Sequence, residues 1–339
     1  MITWQDNSKL TYDEWLVARL NTIGASEVAV VVAGTKYMSS LELFYEKIGA
    51  PKKKVSNLRT FIGKETEELS ATMWKYFSGT DQSIVDNFEK KNQVKECTHL
   101  NATAFNTDYP YLSVTPDRRI EPFGVYAGRG FGSLEIKNTN SWVLKSYETG
   151  IPPENAMQLA SQMMVCDWNY GELFYFIDNK SCECYPIERS EIKHIEETIQ
   201  FHCNRFWDSV IEGRKVYNRM FECKRNMNQR GVDECVKELY RLEPPVQNTE
   251  SYLSFLSEKY VDRLAGVGVI PGTPEQKQIA LKHKELEKQK KALANEQLSL
   301  EIALKNAIGD MSILDFGKEG KVTWITGSNG SRKFSNKIK

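Results

Sequence analysis

The sequence predicts an α/β protein, a sheet flanked by helices and followed by a long helix and a small strand pair. Three observations predict it. Helical and strand-like stretches succeed one another through the first 240 residues, as where "GSLEIKN" is followed by "ENAMQLASQMMVC". "GELFYFIDNKSCECYPI" reads as a hairpin, with "DNKS" as the turn between two apolar strands. From Thr273 and Pro274 a charged helix runs to about residue 308, and "GKVTWITGSNGSRKF" closes as a strand pair with a basic end.

In chain order, "TYDEWLVARL" is a short helix, and "GASEVAVVVAG" a second one that Ser26 caps and Gly34 ends. "NLRTFIGKETEELSATMWKYFSG" is a longer helix closed by Gly79. "YPYLSVTPD" turns to strand, and a glycine-rich loop holding Gly124, Gly128, Gly130 and Gly132 leads into "GSLEIKN". After the hairpin, Ile192, Ile195, Ile199, Phe206 and Val210 mark an amphipathic helix packed on the sheet. The expected division is a compact domain over 1–240, a Pro- and Gly-containing linker over 241–272, and the long helix with its strand pair over 273–339. Ile279, Leu286, Leu293 and Leu300 recur every seven residues, but the other heptad position is mostly Lys, Gln or Glu, so the coiled-coil seam is half built.

Forty-five Lys and Arg balance forty-five Asp and Glu, so no global positive field attracts nucleic acid. Such a partner needs a local patch, for which "PKKKV" at 51–55 and "PDRRI" at 116–120 are candidates. The longest apolar stretch, "VAVVVAG", is too short to cross a bilayer, and the first residues carry no export pattern, so no membrane partner is expected. Seven cysteines form no CxxC pair and read as reduced thiols of an intracellular protein; Cys182 and Cys184 share one strand face.

Within "SLEIKN", strand alternation puts Ser133, Glu135 and Lys137 on one face and Leu134 and Ile136 on the other. Buried charges need partners, and Asp117, at the end of the strand expected to pair with this one, supplies a second carboxylate. Two carboxylates and a lysine form a hard-oxygen site suited to Mg2+, where Lys137 orients or deprotonates a nucleophile or offsets developing charge. Glu67 adds a carboxylate from the neighbouring helix, and Gln158 and Gln162, four apart, share a helix face that either bonds backbone or lines the site.

The set "GKETE", "TPD", "LEIK" and "QLASQ" resembles the PD-(D/E)XK nuclease superfamily, and within it the YqaJ-like viral recombinase group that includes lambda exonuclease. "WLVARLNTIGASEV" is similar to that group's N-terminal signature. The resemblance, covering roughly residues 10–215, implies a restriction-endonuclease-like core with a central mixed β-sheet. It implies Asp117, Glu135 and Glu67 as metal ligands, Lys137 as the catalytic lysine, Gln158 as the glutamine of the following helix, and Arg19 and Ser26 as holders of a 5' phosphate. Glu67 is preferred to Glu68 because it lies four after Gly63. The long interval between Asp117 and Glu135 departs from the family pattern.

The implied activity is a Mg2+-dependent DNA nuclease, with Mn2+ as a substitute, resecting linear duplex DNA from 5' to 3' for phage-type recombination. Its implied partners are double-stranded DNA ends, a single-strand annealing protein of the RecT or Beta type, and copies of itself in a trimer, in the cytoplasm of a phage or prophage host. The rival readings are a structure- or sequence-selective endonuclease on the same fold and a DNA-end-binding assembly protein without turnover. His194 and His202 read as surface residues, and Trp142 and Trp168 as packing residues.

Overall fold

The computed structural model describes residues 1–50, 58–260, 271–327 and 330–338. The basic stretch at 51–55 lies outside the described residues. The chain forms two units, Met1–Val261 and Asp262–Lys339.

The first unit begins with β1 (Ile2–Asp6) and α1 (Tyr12–Arg19). Thr11 and Glu14 close a capping box at the start of α1, each side chain accepting the other's backbone N–H. Next come β2 (Ile23–Gly24), a tight turn over Ala25–Glu27, and α2 (Val28–Val32), which Gly34 ends at φ +74°. The expected cap at Ser26 is not what starts this helix. The carboxylate of Glu27 accepts the Gly24 N–H at 2.8 Å, while Ser26 sits exposed inside the turn.

The chain continues through α3 (Ser40–Lys47), α4 (Leu58–Tyr76), α5 (Asp81–Glu89), β3 (Cys97–Thr98), β4 (Ala102–Asn106), β5 (Leu112–Val114), β6 (Arg118–Ile120) and β7 (Gly132–Thr139). Then follow α6 (Ser141–Leu144), α7 (Pro153–Cys166), β8 (Tyr170–Ile177), β9 (Ser181–Glu188), α8 (Lys193–Arg225), α9 (Gln229–Leu242) and α10 (Glu250–Lys259). The strands make a five-stranded mixed sheet, ordered β3-β6-β7-β8-β9, and a four-stranded sheet, ordered β1-β4-β5-β2. Only β7 and β8 are parallel in the larger sheet, and α7 is the crossover that parallel pairing demands.

The pairing of the "SLEIKN" strand differs from expectation. The strand of "YLSVTPD", β5, pairs with β4 and β2 in the other sheet. It is β6, beginning one residue after Asp117, that pairs with β7, with Arg118 opposite Leu134. The Thr115-Pro116 step carries the chain between the sheets, because a proline has no N–H to continue a ladder.

Leu134 and Ile136 face a core shared with Ala71 and Trp74 of α4, Phe77 just after it, and Phe174 of β8. That core also holds a buried ion pair, Lys95 Nζ to Glu172 Oε2 at 3.1 Å, to which Trp74 Nε1 and Tyr126 Oη donate as well. Such donors offset the cost of removing the charges from water. Cys182 and Cys184 border the same core, and the Cys184 thiol donates to Glu172. On the opposite side of the sheet, α7 is sandwiched with α2 and α8 in the larger core.

α8 passes through Gly213 and runs twelve residues beyond it. Gly213 lies against α3, where a Cβ would meet the Phe44 ring at 2.8 Å. His194 and His202 are exposed on α8, as read from the sequence. The expected linker over 241–272 is largely structured where it is described. Tyr45 Oη donates to Glu243 at 2.6 Å, Gln247 caps backbone of α2 and α3, and Tyr252 of α10 is buried. Those bonds place this segment in the first unit.

The second unit holds α11 (Pro274–Ile308), β10 (Ile313–Asp315), β11 (Gly320–Thr326) and β12 (Arg332–Ile338). Thr273 and Gln276 form a capping box before Pro274, and three antiparallel strands replace the expected pair. Arg332 lies over the Trp324 ring and donates to the carbonyls of Gly309, Met311 and Trp324. Arg332 of the hairpin's basic end is therefore internally engaged.

Candidate active site

β7 delivers Ser133, Glu135 and Lys137 to the side where α7 lies. Four residues of helix advance about 6 Å and two residues of strand about 6.6 Å, so Gln158 and Gln162 match alternate positions of β7. Gln162 Nε2 donates to Glu135 Oε2 at 2.6 Å, and its Oε1 accepts from Ser133 Oγ at 2.5 Å. Lys137 Nζ donates to Glu135 Oε1 and, at 3.1 Å, to Gln158 Oε1. Asp117 joins them from the start of β6, its Oδ2 accepting the Ile136 N–H at 2.8 Å.

Glu135 is fully buried. Burial and the nearby charge of Glu135 push the Asp117 carboxyl well above its ordinary range, with Glu67 adding to the effect. Burial would lower Lys137, but Glu135 and Asp117 outweigh it and hold the side chain as an ammonium. Among groups with formal charge, two carboxylates thus face one cation, and the pair is short of positive charge.

Glu67 stands at the edge of this group and is engaged elsewhere. Arg118, almost buried, forks onto Glu67 and onto Glu68 Oε2 at 2.7 Å, and also donates to the Asp117 carbonyl. Asn138 Nδ2 donates to Thr66 Oγ1 at 3.3 Å, tying α4 to the end of β7. Arg119 bonds Glu121 at 3.0 Å and lies over the Phe131 ring, so "PDRRI" presents no free basic patch. The glycine loop before β7 is likewise anchored: Arg129 pairs with Glu188 at 2.7 Å, and Tyr126 stacks on Tyr170.

Among the described residues no group of three or more His, Cys, Asp or Glu is arranged as a metal cage. The donor chemistry nonetheless fits a hard divalent cation: Asp117 and Glu135 are convergent carboxylates short of positive charge, and Glu67 is the next acid.

Arg19 ends α1 and reaches the turn after β2. Its Nη2 donates to Glu27 Oε1 at 3.0 Å and to Ser26 Oγ at 3.4 Å. Glu27 is buried and also receives Lys47 Nζ at 2.7 Å. Burial would raise this carboxyl, but Lys47 and Arg19 outweigh it and hold it below its ordinary range. Arg19, Ser26 and Gln158 line one cleft of about 650 Å³, with Val30, Tyr37 and Met157 among its walls. The phosphate-binding candidates and the glutamine of the β7 group thus share a cavity.

Gln162 is the residue whose place in the site the sequence left open; its interval of four from Gln158 was the visible signal. The packing reading holds for Trp168, which is buried and lies 6.1 Å from the Trp4 ring. It fails for Trp142, the second residue of α6, which is 66% exposed while Leu144 of the same helix is the residue buried in the core.

The model of the YqaJ-like viral recombinase domain matches residues 14–169, a span that contains every candidate site residue named above. The uncharacterized protein YqaJ of Bacillus subtilis (strain 168) is 24% identical over 173 residues, 50% of this chain and 47% of that protein. The match thus spans about half the length of the curated relative. The crystal structure of an alkaline exonuclease (LHK-Exo) from Laribacter hongkongensis is similar at 22% identity, covering 59% of this chain and 95% of that one, with a TM-score of 0.42. LHK-Exo in complex with dAMP gives 22% identity, 61% and 98% coverage, and 0.43. No helix among the described residues is long and apolar enough to cross a membrane. By this match, residues 14–169, which carry the candidate site, are similar to the YqaJ-like viral recombinase domain.

Proposed function

We propose that the protein is a divalent-metal-dependent DNA nuclease that resects linear duplex DNA from 5' to 3'. The observation that carries this reading is the convergence of Asp117, Glu135 and Lys137 with Gln158, whose side chain lines the same cleft as Arg19 and Ser26. A Mg2+ ion held by Asp117 and Glu135, with Glu67 as a further acid, would polarise a phosphate and lower the pKa of a bound water. Lys137, charged and fixed between Glu135 and Gln158, orients the phosphate and offsets charge that builds on it. Gln158 and Gln162 hold Lys137 and Glu135 in register, so neither swings away when DNA enters. Arg19 offers a guanidinium fork to a terminal phosphate beside Ser26, which supports a 5' end as the grip.

An annealing-protein partner and a ring of three belong to the same proposal, as does action on phage-type recombination intermediates. The test is one incubation of end-labelled linear and covalently closed circular DNA, with Mg2+ and with EDTA. Mg2+-dependent loss of the linear form alone is expected. Cutting of the circle would replace the exonuclease with an endonuclease, and the absence of any cleavage would favour a DNA-end-binding protein.

A further inference from the structure

The loop after α2 presents a tyrosine to the cleft on a braced backbone. Gly34 turns the chain out of α2, Thr35 N–H donates to the Met38 carbonyl at 2.9 Å, and Thr35 Oγ1 accepts the amides of Tyr37 and Met38 at 3.3 and 3.2 Å. From behind, Ser251 Oγ donates to the Thr35 carbonyl at 2.6 Å, and Gln247 joins the Val30 carbonyl to the Ser40 N–H at 3.0 and 2.8 Å. A Cβ at Gly34 would lie 2.7 Å from Gln247 Oε1 at a φ that L residues rarely adopt, so the brace demands glycine. Held this firmly, the loop still leaves the Tyr37 side chain 73% exposed at the wall of the cleft.

A lone exposed aromatic is ordinary on a protein surface. This one differs in its neighbours. Lys36 Nζ lies 4.8 Å from the ring centroid, so one face of the ring meets a cation and the other is the face for stacking. Arg19 and Ser26 line the same cavity, whose size of about 650 Å³ lies within the ~300–1,000 Å³ usual for small-ligand sites. An aromatic face and two basic groups around one cavity match the alternation of base and phosphate in a single DNA strand.

We infer that Tyr37 is a base-stacking residue that receives an unpaired nucleobase at the end of a DNA strand, while Lys36 meets the adjoining phosphate. The inference rests on the reading of the protein as a nuclease with its phosphate grip at Arg19. Tyr37 acts as a positioning residue, holding the end of the strand while the β7 group acts on it.

The experiment uses the full chain in EDTA with a 5'-phosphorylated single-stranded oligonucleotide whose first base is 2-aminopurine, a fluorophore quenched when it stacks. Binding with quenching is expected for the parent and for Tyr37→Phe. Tyr37→Ala is expected to lose the quenching and to bind roughly tenfold more weakly, as for removal of one base-stacking aromatic. Lys36→Ala is expected to weaken binding while keeping the quenching. Circular dichroism checks that each variant is folded, and Mg2+-dependent cleavage of linear DNA by the parent is measured in parallel. Cleavage by the parent together with unchanged quenching and affinity in Tyr37→Ala overturns the stacking role alone. A parent that neither binds the oligonucleotide nor cleaves DNA overturns the nuclease reading and this inference with it.

Discussion

Gln162 and Glu135 meet at 2.6 Å in a site where both side chains are fully buried. Gln162→Ala would leave Glu135 Oε2 and the Ser133 hydroxyl without this partner, at a cost of about 1–3 kcal/mol for a buried unmet group. Gln158→Ala removes one bond to Lys137 at a half-exposed position. Chemical denaturation is expected to show a clear loss for the first and less than about 1 kcal/mol for the second. DNA cleavage is expected to fall in both. Equal stability losses would mean that the two glutamines do not divide the work in this way.

The Asp117 carboxyl, raised by burial and by the charge of Glu135, gives an expected pH dependence of stability. It titrates higher in the folded chain than in the unfolded one, so between those pH values the folded state holds a proton that the unfolded state has released. Stability therefore falls as pH rises through that window. Asp117→Asn in EDTA is expected to melt above the parent at pH 8, by roughly 3–5 °C for each pKa unit of the shift. The gap should close below the ordinary Asp range, where both forms are neutral. Adding Mg2+ should raise the melting temperature of the parent and leave that of Asp117→Asn unmoved. Scanning calorimetry at several pH values, with and without Mg2+, reads all of this.

Arg19 and Lys47 share Glu27 but differ in exposure. Arg19 is about one-third exposed and Lys47 is buried, so Lys47 carries most of the neutralisation of the buried carboxylate. Lys47→Met is expected to destabilise the protein by about 3–5 kcal/mol, the range for breaking a buried pair. Arg19→Ala is expected to cost under about 1.5 kcal/mol, because Lys47 remains. On linear duplexes it should abolish any preference for 5'-phosphate over 5'-hydroxyl ends. A preference that survives Arg19→Ala would move the phosphate grip elsewhere in the cleft.

The two tryptophans read alike from the sequence give opposite expectations. Trp168→Ala empties a packed position against Trp4 and should cost about 3–5 kcal/mol. Trp142→Ala, at an exposed position, should stay within about 0.5 kcal/mol of the parent. Urea titration of both settles the contrast.

The parts of the fold that local chemistry dictates were legible in the sequence. Thr11 with Glu14 and Thr273 with Gln276 start helices as such pairs do, and Asp178 and Asn179 supply the left-handed turn between β8 and β9. The alternation in β7 gave the shared face of Glu135 and Lys137. What stayed hidden depended on distant partners. Nothing local in "YLSVTPD" says that β5 joins another sheet and hands Asp117 to β6. Nothing near Glu67 announces Arg118, and the interval of four between Gln158 and Gln162 does not say that each meets a different residue of β7. Over 241–260 the linker reading missed that polar residues such as Gln247 bond to the backbone of α2 and α3, where composition suggests only solvent; residues 261–270 of that span lie outside the described residues.

The brace formed by Gln247 and Ser251 makes the shortest fragment that preserves the cleft wall longer than the candidate site residues require. A chain ended at residue 240 would keep Asp117, Glu135, Lys137, Gln158 and Arg19, yet the backbone beneath Tyr37 would lose the groups that hold it from behind. Trimming this protein to the span of its candidate site residues would therefore keep those residues while loosening the rim of the cleft.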